Sequence, residues 1–391
     1  MGSIRIGSSL AEQTADAAAD LARQLSGQQY ALVIFFTADR HNAARLATEM
    51  RRHFPLPTAV IGCSTAGEIG LAGYQNDSLV AIGFPAADFT AATAVIPDLE
   101  RFDTGECQRR IEDALRVSNA QRDTRGYTNT LAFVLIDGLS LREEPVGRAI
   151  QLLLGDIPLV GGSAGDSLHF RETLIFHGAE VVRNAAVVAL ISTDLPFRIV
   201  KTQHFERSTE RMVVTGARPQ DRVVTEINGF PAALEYARIV GIPAETLSPM
   251  AFAAYPVVVR IGGQEYVRSI QKMNSDHSLT FYCAIDEGIV LARARGIDPL
   301  ENLEHALDAV AAEIGELQAV LACDCILRNL EFRQSKQIEI MSKALRERHV
   351  LGFSTFGELH MGVHMNQTFT GVAFGHRHAK TDASGGAIAS S

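Results

Sequence analysis

Apolar and polar positions alternate along the chain in two patterns, one with helical spacing and one of short continuous apolar runs. Residues 11–25 and 41–53 repeat apolar side chains every three to four positions, which predicts two amphipathic helices. Residues 30–36 and 58–61 are almost wholly apolar, and runs of this length are typical of strands buried on both faces. The first part of the chain therefore predicts helices alternating with buried strands.

The same alternation continues to about residue 375. Further helices are predicted at 103–117, 144–154, 299–315 and 331–349. Further strands are predicted at 78–84, 89–95, 130–136, 257–261, 265–270, 279–283 and 317–323, and strands dominate 173–215. A second region of strands and helices begins at about residue 223, so we expect one domain over residues 1–225, a second over 226–375, and a disordered tail over 376–391.

Composition narrows the classes of protein that remain. The net charge is −9 and the basic residues are scattered, which argues against a nucleic-acid binder. The chain shows neither a signal peptide nor an apolar run long enough to span a membrane, so we expect a cytoplasmic protein. Five cysteines in 391 residues are an odd number, which fits free thiols in a reducing compartment better than a disulfide framework.

Three glycine-rich turns follow apolar strands, and we call them elbows. The first is GCSTAGE (62–68), the second is GGSAGD (161–166) and the third is GFSTFGE (352–358). The first and third share Gly-x-Ser-Thr-x-Gly-Glu, which indicates two related halves, so the predicted fold class is α/β with two related mixed-sheet halves and helices packed on the sheets. The elbows match neither a phosphate loop nor a nucleophile elbow, and we expect them to be structural first.

These elbows, together with ACDCILRN (322–329) and NQTFTGVAF (366–374), resemble the FIST N and FIST C domains of signalling proteins. The resemblance runs from about residue 28 to 375. It implies a sensory protein that binds a small ligand and is not itself an enzyme. A narrower resemblance is to the stand-alone NosP-type members, which are haem-binding nitric-oxide sensors. That resemblance implies non-covalent haem b, nitric oxide as the signal, and a histidine kinase or cyclic-di-GMP enzyme as partner, with a homo-oligomer possible.

A haem would need an axial ligand and groups for its propionates. The first candidate ligand is His204, placed on a strand at the junction of the two halves, with a half-exposed strand histidine as the alternative. His360 and His364 follow, beside two methionines. The other residues expected to bind the cofactor are Lys201, Arg207, Arg211, Ser64, Thr65, Ser354 and Thr355. Histidines on predicted helices, His41 among them, are expected to face solvent.

Two other functions stay open. One is a sensor of an amino acid or similar metabolite without iron, whose polar groups would be Ser64, Thr65, Glu68, Asp166, Asp324, Arg328, Asn329, Ser354, Thr355 and Glu358, with elbow amides holding a carboxylate. The other is an enzyme with Cys63 or Cys325 as nucleophile, His360 as base and Asp324 as the orienting group.

Overall fold

A computed structural model describes residues 2–261 and 263–377 of the chain, so the predicted disordered tail lies outside the described residues from 378 onward. The described part is a mixed α/β structure, as predicted. Its helices are α1 (Thr14–Gln24), α2 (Ala43–His53), α3 (Thr104–Arg125), α4 (Glu143–Leu154), α5 (Ala232–Val240), α6 (Pro249–Ala254), α7 (Pro299–Ile314), α8 (Ile326–Gln334) and α9 (Ile338–Glu347). None of these helices combines the length and the hydrophobicity that a membrane crossing requires.

Three six-stranded sheets form most of the structure. In spatial order, sheet 1 contains β1 (Arg5–Ser9), β6 (Leu79–Pro85), β2 (Tyr30–Thr37), β3 (Ala59–Ser64), β10 (Ile175–His177) and β11 (Glu180–Val182). Sheet 2 contains β7 (Phe89–Ile96), β12 (Ala186–Thr193), β8 (Asn129–Ile136), β9 (Leu159–Ser163), β24 (Glu358–His360) and β25 (Val363–Met365). Sheet 3 contains β13 (Phe197–Thr202), β26 (Phe369–Gly375), β22 (Leu317–Cys325), β23 (Val350–Thr355), β4 (Glu68–Gly70) and β5 (Gly73–Gln75).

The three sheets repeat one pattern of strand pairing. In each sheet one central pair is parallel, namely β2–β3, β8–β9 or β22–β23, and its first strand also pairs with an antiparallel neighbour. A short hairpin then completes each sheet by pairing with the second strand of the parallel pair. In each case this hairpin comes from the segment that follows the elbow of a different sheet. The repeat expected from the sequence as two related halves is therefore present three times, and the second elbow marks the additional copy.

A fourth, eight-stranded sheet lies between β13 and α7 in the sequence. Its strands are β18 (Gln264–Arg268), β17 (Val257–Ile261), β21 (Val290–Gly296), β14 (Phe205–Arg218), β15 (Val223–Ile227), β20 (Leu279–Phe281) and β19 (Ile270–Met273), with β16 (Phe230–Pro231) paired to β15. This inserted sheet packs with α5 and α6 around a core of its own. The domain boundary predicted at 225/226 falls within β15, and the division into two domains stays a prediction.

The long apolar runs are explained by burial on both faces of each sheet. On β2, Leu32, Ile34 and Phe36 face a core shared by the three sheets, while Val33 and Phe35 pack beneath α1 and α2. Likewise β8 is shared between the common core and α3–α4, and β22 between that core and α7–α9. Since each fully buried large apolar side chain contributes roughly 1.5–3 kcal/mol, this shared core holds the three sheets together.

One predicted helix is divided in two. The sequence predicts a single helix over 331–349, whereas α8 ends at Gln334 and α9 begins at Ile338. Lys336 between them has a φ of 59°, a left-handed conformation that interrupts helical hydrogen bonding. As a result α8 is a short, separate helix that begins directly after β22, and its position shapes the site described next.

Candidate functional site

The three elbows meet at the centre of the three sheets. The backbone N–H of Ala66 donates to the carbonyl of Ser354 (3.0 Å), and that of Gly165 donates to the carbonyl of Ser64 (3.0 Å). The N–H of Phe356 donates to the carbonyl of Ser163 (3.3 Å), which closes the cycle. Each elbow thus binds the next through equivalent backbone atoms, so the turns that looked alike in the sequence form one structural hub.

In the first and third elbows the glutamate holds the loop that follows. Glu68 accepts hydrogen bonds from the hydroxyl of Thr65 and from the N–H and hydroxyl of Ser78 (3.0 and 2.7 Å). Glu358 accepts the equivalent bonds from Thr355 and from Thr368 (3.2 and 2.7 Å). Burial raises the pKa of Glu68 to about 7 and that of Glu358 to about 8, against the opposing effect of these hydrogen bonds. These carboxyl groups stabilise the elbows themselves.

The four elbow hydroxyls that the sequence assigned to cofactor binding are all buried. Ser64 Oγ accepts from the N–H of Leu174 (2.9 Å), and Ser354 Oγ accepts from Asn329 Nδ2 (3.2 Å). Thr65 lines one cavity and Ser64 lines a neighbouring one. Ser354 and Thr355 line neither of these two cavities, so the structure brings only half of this predicted set to a ligand-sized space.

The first of these cavities, here called the elbow cavity, has a volume of about 430 Å³ and is bounded by the first elbow, α8 and the loop at 167–169. Helix α8 contributes Ile326, Asn329, Leu330 and Arg333, which the spacing i, i+3, i+4, i+7 places on one helix face. The first elbow contributes Thr65 to Glu68, and the hairpin after it contributes Asn76 and Asp77. Small-ligand sites commonly have this size and concave form.

Arg333 is the cationic side chain of this wall. Its Nε donates to Asn329 Oδ1 (2.6 Å) and its Nη2 donates to Asn76 Oδ1 (3.2 Å). Both partners are neutral amides, and within the described part of the chain Arg333 takes part in no ion pair. The guanidinium is therefore oriented by two asparagines while its charge stays available to a ligand. Arg333 and Asn76 were not predicted from the sequence, although the helical spacing along α8 indicates Arg333.

His204 lies in a buried polar network on the opposite side of α8. His204 lies between β13 and β14 rather than within a strand. Its side chain is 0% exposed, so the alternative of a half-exposed strand histidine was wrong. Its Nδ1 lies 2.6 Å from Arg328 Nη1, and its Nε2 lies 2.9 Å from Glu331 Oε2. Because burial lowers the pKa of His204, the neutral ring accepts from Arg328 and donates to Glu331, which occupies both nitrogens.

The same network continues to the first elbow's hairpin. Arg328 Nε donates to Asp324 Oδ1 (2.7 Å), and Tyr74 donates its hydroxyl to Asp324 Oδ2. Arg328 and Asp324 are completely buried, and burial raises the pKa of Asp324 although Arg328 opposes that rise. This network ties α8 to both β22 and β5. Asp324 and Arg328 were predicted from the sequence as ligand groups, but Tyr74, the partner of Asp324, and Glu331, the partner of His204, were not predicted.

Two of the three histidines predicted to ligate a haem have both ring nitrogens engaged in this arrangement. Both His204 nitrogens are engaged, and His364 is buried with Nδ1 3.1 Å from Glu144 Oε1 and Nε2 3.4 Å from Ser163 Oγ. Burial lowers the pKa of half-buried His360 to about 4, which keeps its ring neutral, the form that coordinates a metal. Lys201 lies over the ring of Tyr266 at 4.7 Å. The two remaining propionate candidates, Arg207 and Arg211, lie on β14 opposite Ala294 and Ala292.

One chain of hydrogen bonds has the order nucleophile, base and acid that a catalytic triad requires, and it consists of Ser163, His364 and Glu144. Ser163 and His364 are buried, and Ser163 lines neither the elbow cavity nor the cavity that adjoins it. Glu144 also accepts from the N–H of Ala284 (2.7 Å) and pairs with Arg222 (2.5 Å), both in the inserted segment. The set therefore joins the inserted sheet to α4 and sheet 2.

The five cysteines are free and buried, including Cys63 and Cys325 of the enzyme alternative. Burial raises the pKa of both thiols well above the ordinary value, whereas a catalytic thiol needs a lowered pKa. Within the described residues, no group of three or more histidine, cysteine or acidic side chains is placed to hold a metal ion.

We expect the native protein to react with iodoacetamide near neutral pH at least about 100-fold more slowly than the urea-unfolded chain, because the thiols are both inaccessible and protonated. Mass spectrometry of the labelled protein gives the rate at each cysteine, and the unfolded chain is the control. Rapid native labelling at Cys63 or Cys325 would contradict this expectation and revive the thiol mechanism.

One predicted surface histidine is buried. Helix α2 begins at Ala43, so His41 lies before it instead of within it, and only 6% of its surface is exposed. The expectation that His41 faces solvent was wrong because the helix start was placed two residues too early. Sequence periodicity carries little information on such boundaries.

Family models match this chain for both of the domains that the sequence resemblance indicated. The FIST N domain model matches residues 31–229 and the FIST C domain model matches residues 232–361. An uncharacterised protein of Methanocaldococcus jannaschii is 23% identical over 386 residues, covering 88% of this chain and 73% of that protein. Among solved structures, the cyanuric acid hydrolase from A. caulinodans covers 96% of this chain and 100% of its own, with 10% identity and a TM-score of 0.39.

The prediction that the chain is not an enzyme is corrected by that last match, because the matched structure belongs to a hydrolase. At this TM-score the likeness assigns no activity, substrate or site to the present chain. The two domain matches together cover most of the sequence, and FIST domains indicate a sensory, ligand-binding protein. On these matches the chain belongs to the FIST family.

Proposed function

We propose that the elbow cavity binds a small carboxylate-bearing metabolite, with an amino acid as the best fit, and that this is the ligand the chain senses. The observation that carries the proposal is Arg333, a guanidinium held by the neutral amides of Asn329 and Asn76 at the wall of a polar cavity. A guanidinium donates two parallel hydrogen bonds to a carboxylate, and such charge-assisted bonds are about twice as strong as neutral ones.

The other polar groups of the cavity suit the remainder of an amino acid. Asp77, exposed on the opposite hairpin, offers a carboxylate to an α-ammonium group. Ile326 and Leu330 offer apolar contact on the α8 face. A cavity of about 430 Å³ accommodates a single small metabolite with some water. Charge and size together favour a zwitterion over an apolar ligand.

Helix α8 provides a physical route from the ligand to the rest of the protein. One face carries the cavity residues Asn329 and Arg333, and the opposite side carries Arg328 and Glu331, which hold His204. His204 stands where the chain leaves sheet 3 for the inserted sheet, and its carbonyl accepts from Ile297, where the chain returns. A ligand that shifts α8 would therefore change the contacts at this junction.

The proposal predicts a specific loss in an Arg333→Ala variant. Isothermal titration with a panel of amino acids, and with amines that lack the carboxylate, should identify a ligand that requires its carboxylate. We expect Arg333→Ala to weaken that binding at least about tenfold, since a lost charged hydrogen bond is worth roughly 1.5–3 kcal/mol. The matched control, Arg116→Ala on the exposed face of α3, should bind as the unaltered protein does. Equal affinity in Arg333→Ala would refute the proposed site.

Haem-based sensing of nitric oxide through His204, with a histidine kinase or cyclic-di-GMP enzyme as partner, stays a prediction from the family resemblance. No contact of the described residues favours it, since iron coordination would require the ring to leave Arg328 or Glu331. Absorption spectra taken during haem titration separate the two functions. A Soret band that is lost in His204→Ala would support the haem prediction, and the amino-acid proposal expects no such His204-dependent band.

A further inference from the structure

His41 is a buried polar side chain whose hydrogen-bonding groups are unused. It lies in the connection between β2 and α2, with 6% of its surface exposed. Within the described residues neither Nδ1 nor Nε2 has a hydrogen-bond partner. Burial lowers the pKa of His41, and neighbouring Arg40 lowers it further, so the ring is neutral and offers one donor and one acceptor. A buried polar group left unpaired costs about 1–3 kcal/mol, which indicates that something else satisfies it.

The ring lines a second cavity of about 320 Å³, here called the His41 cavity. This cavity and the elbow cavity share two wall residues, Ala38 and His169. His169 Nδ1 lies 3.2 Å from Asp39 Oδ2, so a polar pair stands at the shared wall. The two cavities therefore adjoin at Ala38 and His169.

The buried wall of the His41 cavity is rich in acceptors. Asp166, 4% exposed, keeps its carboxylate there by accepting from the backbone N–H groups of Phe170, Arg171 and Glu172. Thr37 and Ser64 line the same wall. The charges of Arg171 and Glu172 lie on exposed residues of the loop, and Glu172 pairs with Arg183 (2.6 Å). The buried carboxylate of this wall is therefore that of Asp166, and it favours a ligand group that carries several N–H donors and a positive charge.

We propose that the His41 cavity is a second compartment of the ligand site and binds the ammonium or guanidinium end of an elongated amino acid. This inference rests on the proposed function for the carboxylate end at Arg333. His41 accepts a hydrogen bond from the cationic group, and Asp166 supplies the opposite charge. His41 is thus a specificity-determining residue that selects basic amino acids over apolar ones of the same length.

Lysine and norleucine test the proposal as a matched pair, because lysine is norleucine with an ammonium group added on its terminal carbon. Titration calorimetry of the full chain should show lysine binding at least tenfold more tightly than norleucine. His41→Phe, which keeps a ring but removes both nitrogens, should abolish that preference while leaving norleucine binding unchanged. His305→Ala, at an exposed histidine on α7, is the control and should keep the preference. Equal affinities for the two ligands in the unaltered protein would overturn the proposal.

A second readout separates failure of this inference from failure of the proposed function. Arg333→Ala should weaken lysine and norleucine equally, whereas His41→Phe should affect lysine alone. Butylamine, which has no carboxylate, should by itself shift the His41 ring signals in the NMR spectrum of histidine-labelled protein, and His41→Phe assigns those signals. If neither amino acid binds, the proposed function fails and the butylamine result still decides the inference. An absence of any shift with butylamine would overturn it.

Discussion

Replacing Arg328 with alanine should lower the free energy of unfolding by about 3–5 kcal/mol, the cost typical of breaking a buried ion pair. The variant leaves Asp324 completely buried with the hydroxyl of Tyr74 as its remaining side-chain partner, and it removes the donor to His204 Nδ1. Most domains are stable by about 5–15 kcal/mol, so this one change would consume a large share of the stability. Urea denaturation followed by circular dichroism measures it.

Arg333→Ala is the matched control on the same helix, because its guanidinium is exposed and bonded only to neutral amides. We expect it to change stability by less than about 0.5 kcal/mol. A double variant, Arg328→Met with Asp324→Leu, should recover part of the loss, since removing both charges leaves no unpaired ion. An Arg328→Ala protein as stable as the control would show that the network contributes little to folding.

The second large expected effect is on the pH dependence of the unfolding free energy. Burial raises the pKa of Glu358 from 4.5 to about 8 and that of Glu68 from 4.5 to about 7, so both folded-state values lie above the unfolded ones. The stability that these groups contribute is complete below pH 4.5 and declines over the window from pH 4.5 to the folded-state pKa, about 7 for Glu68 and about 8 for Glu358. Each pH unit in that window removes about 1.4 kcal/mol per group, which makes the loss on the order of 3–5 kcal/mol for Glu358.

Glu358→Gln isolates this contribution. The glutamine has no charge to bury, so the decline in unfolding free energy between pH 5 and pH 8 should become shallower by on the order of 3 kcal/mol. Urea unfolding at several pH values provides the measurement. Glu347→Gln, at an exposed position of α9, should retain the full decline. The prediction fails if the Glu358→Gln and unaltered proteins show parallel pH profiles.

Much of the fold was accessible from the sequence because its central strands are buried on both faces. The run at 30–36 predicts β2, observed as Tyr30–Thr37, and the run at 130–136 predicts β8, observed as Asn129–Ile136. The third copy of the sheet was harder to see, since the second elbow lacks the Thr and Glu of the other two. The second elbow is equivalent to the other two in its backbone hydrogen bonds, such as the one from the N–H of Gly165 to the carbonyl of Ser64. Side-chain identities do not encode these bonds.

The candidate site was harder to predict from the sequence, because its contacts join residues that are far apart in the chain. His204 attracted attention as a lone histidine at a junction, but its partners Arg328 and Glu331 lie 124 and 127 positions further on. A sequence pattern cannot show that both ring nitrogens are occupied. His41 was misplaced by a helix boundary of two residues. Arg333, in contrast, sits in a readable helical spacing with Ile326, Asn329 and Leu330.

The exchange of hairpins among the three sheets has a consequence for how the chain reaches its native state. The hairpin β4–β5 completes a sheet whose strand β23 lies near the opposite end of the sequence, and β24–β25 pairs back onto β9. Contacts of such sequence separation form late, since long loops must close first. Sheets 2 and 3 each contain strands from both sides of residue 230, so a fragment cut at the family boundary near that residue would lack β24 and β25 of sheet 2 and β22, β23 and β26 of sheet 3, which leaves strand edges unpaired. Folding is therefore expected to be slow and all-or-none across the three sheets, and prone to aggregation when the chain is shortened.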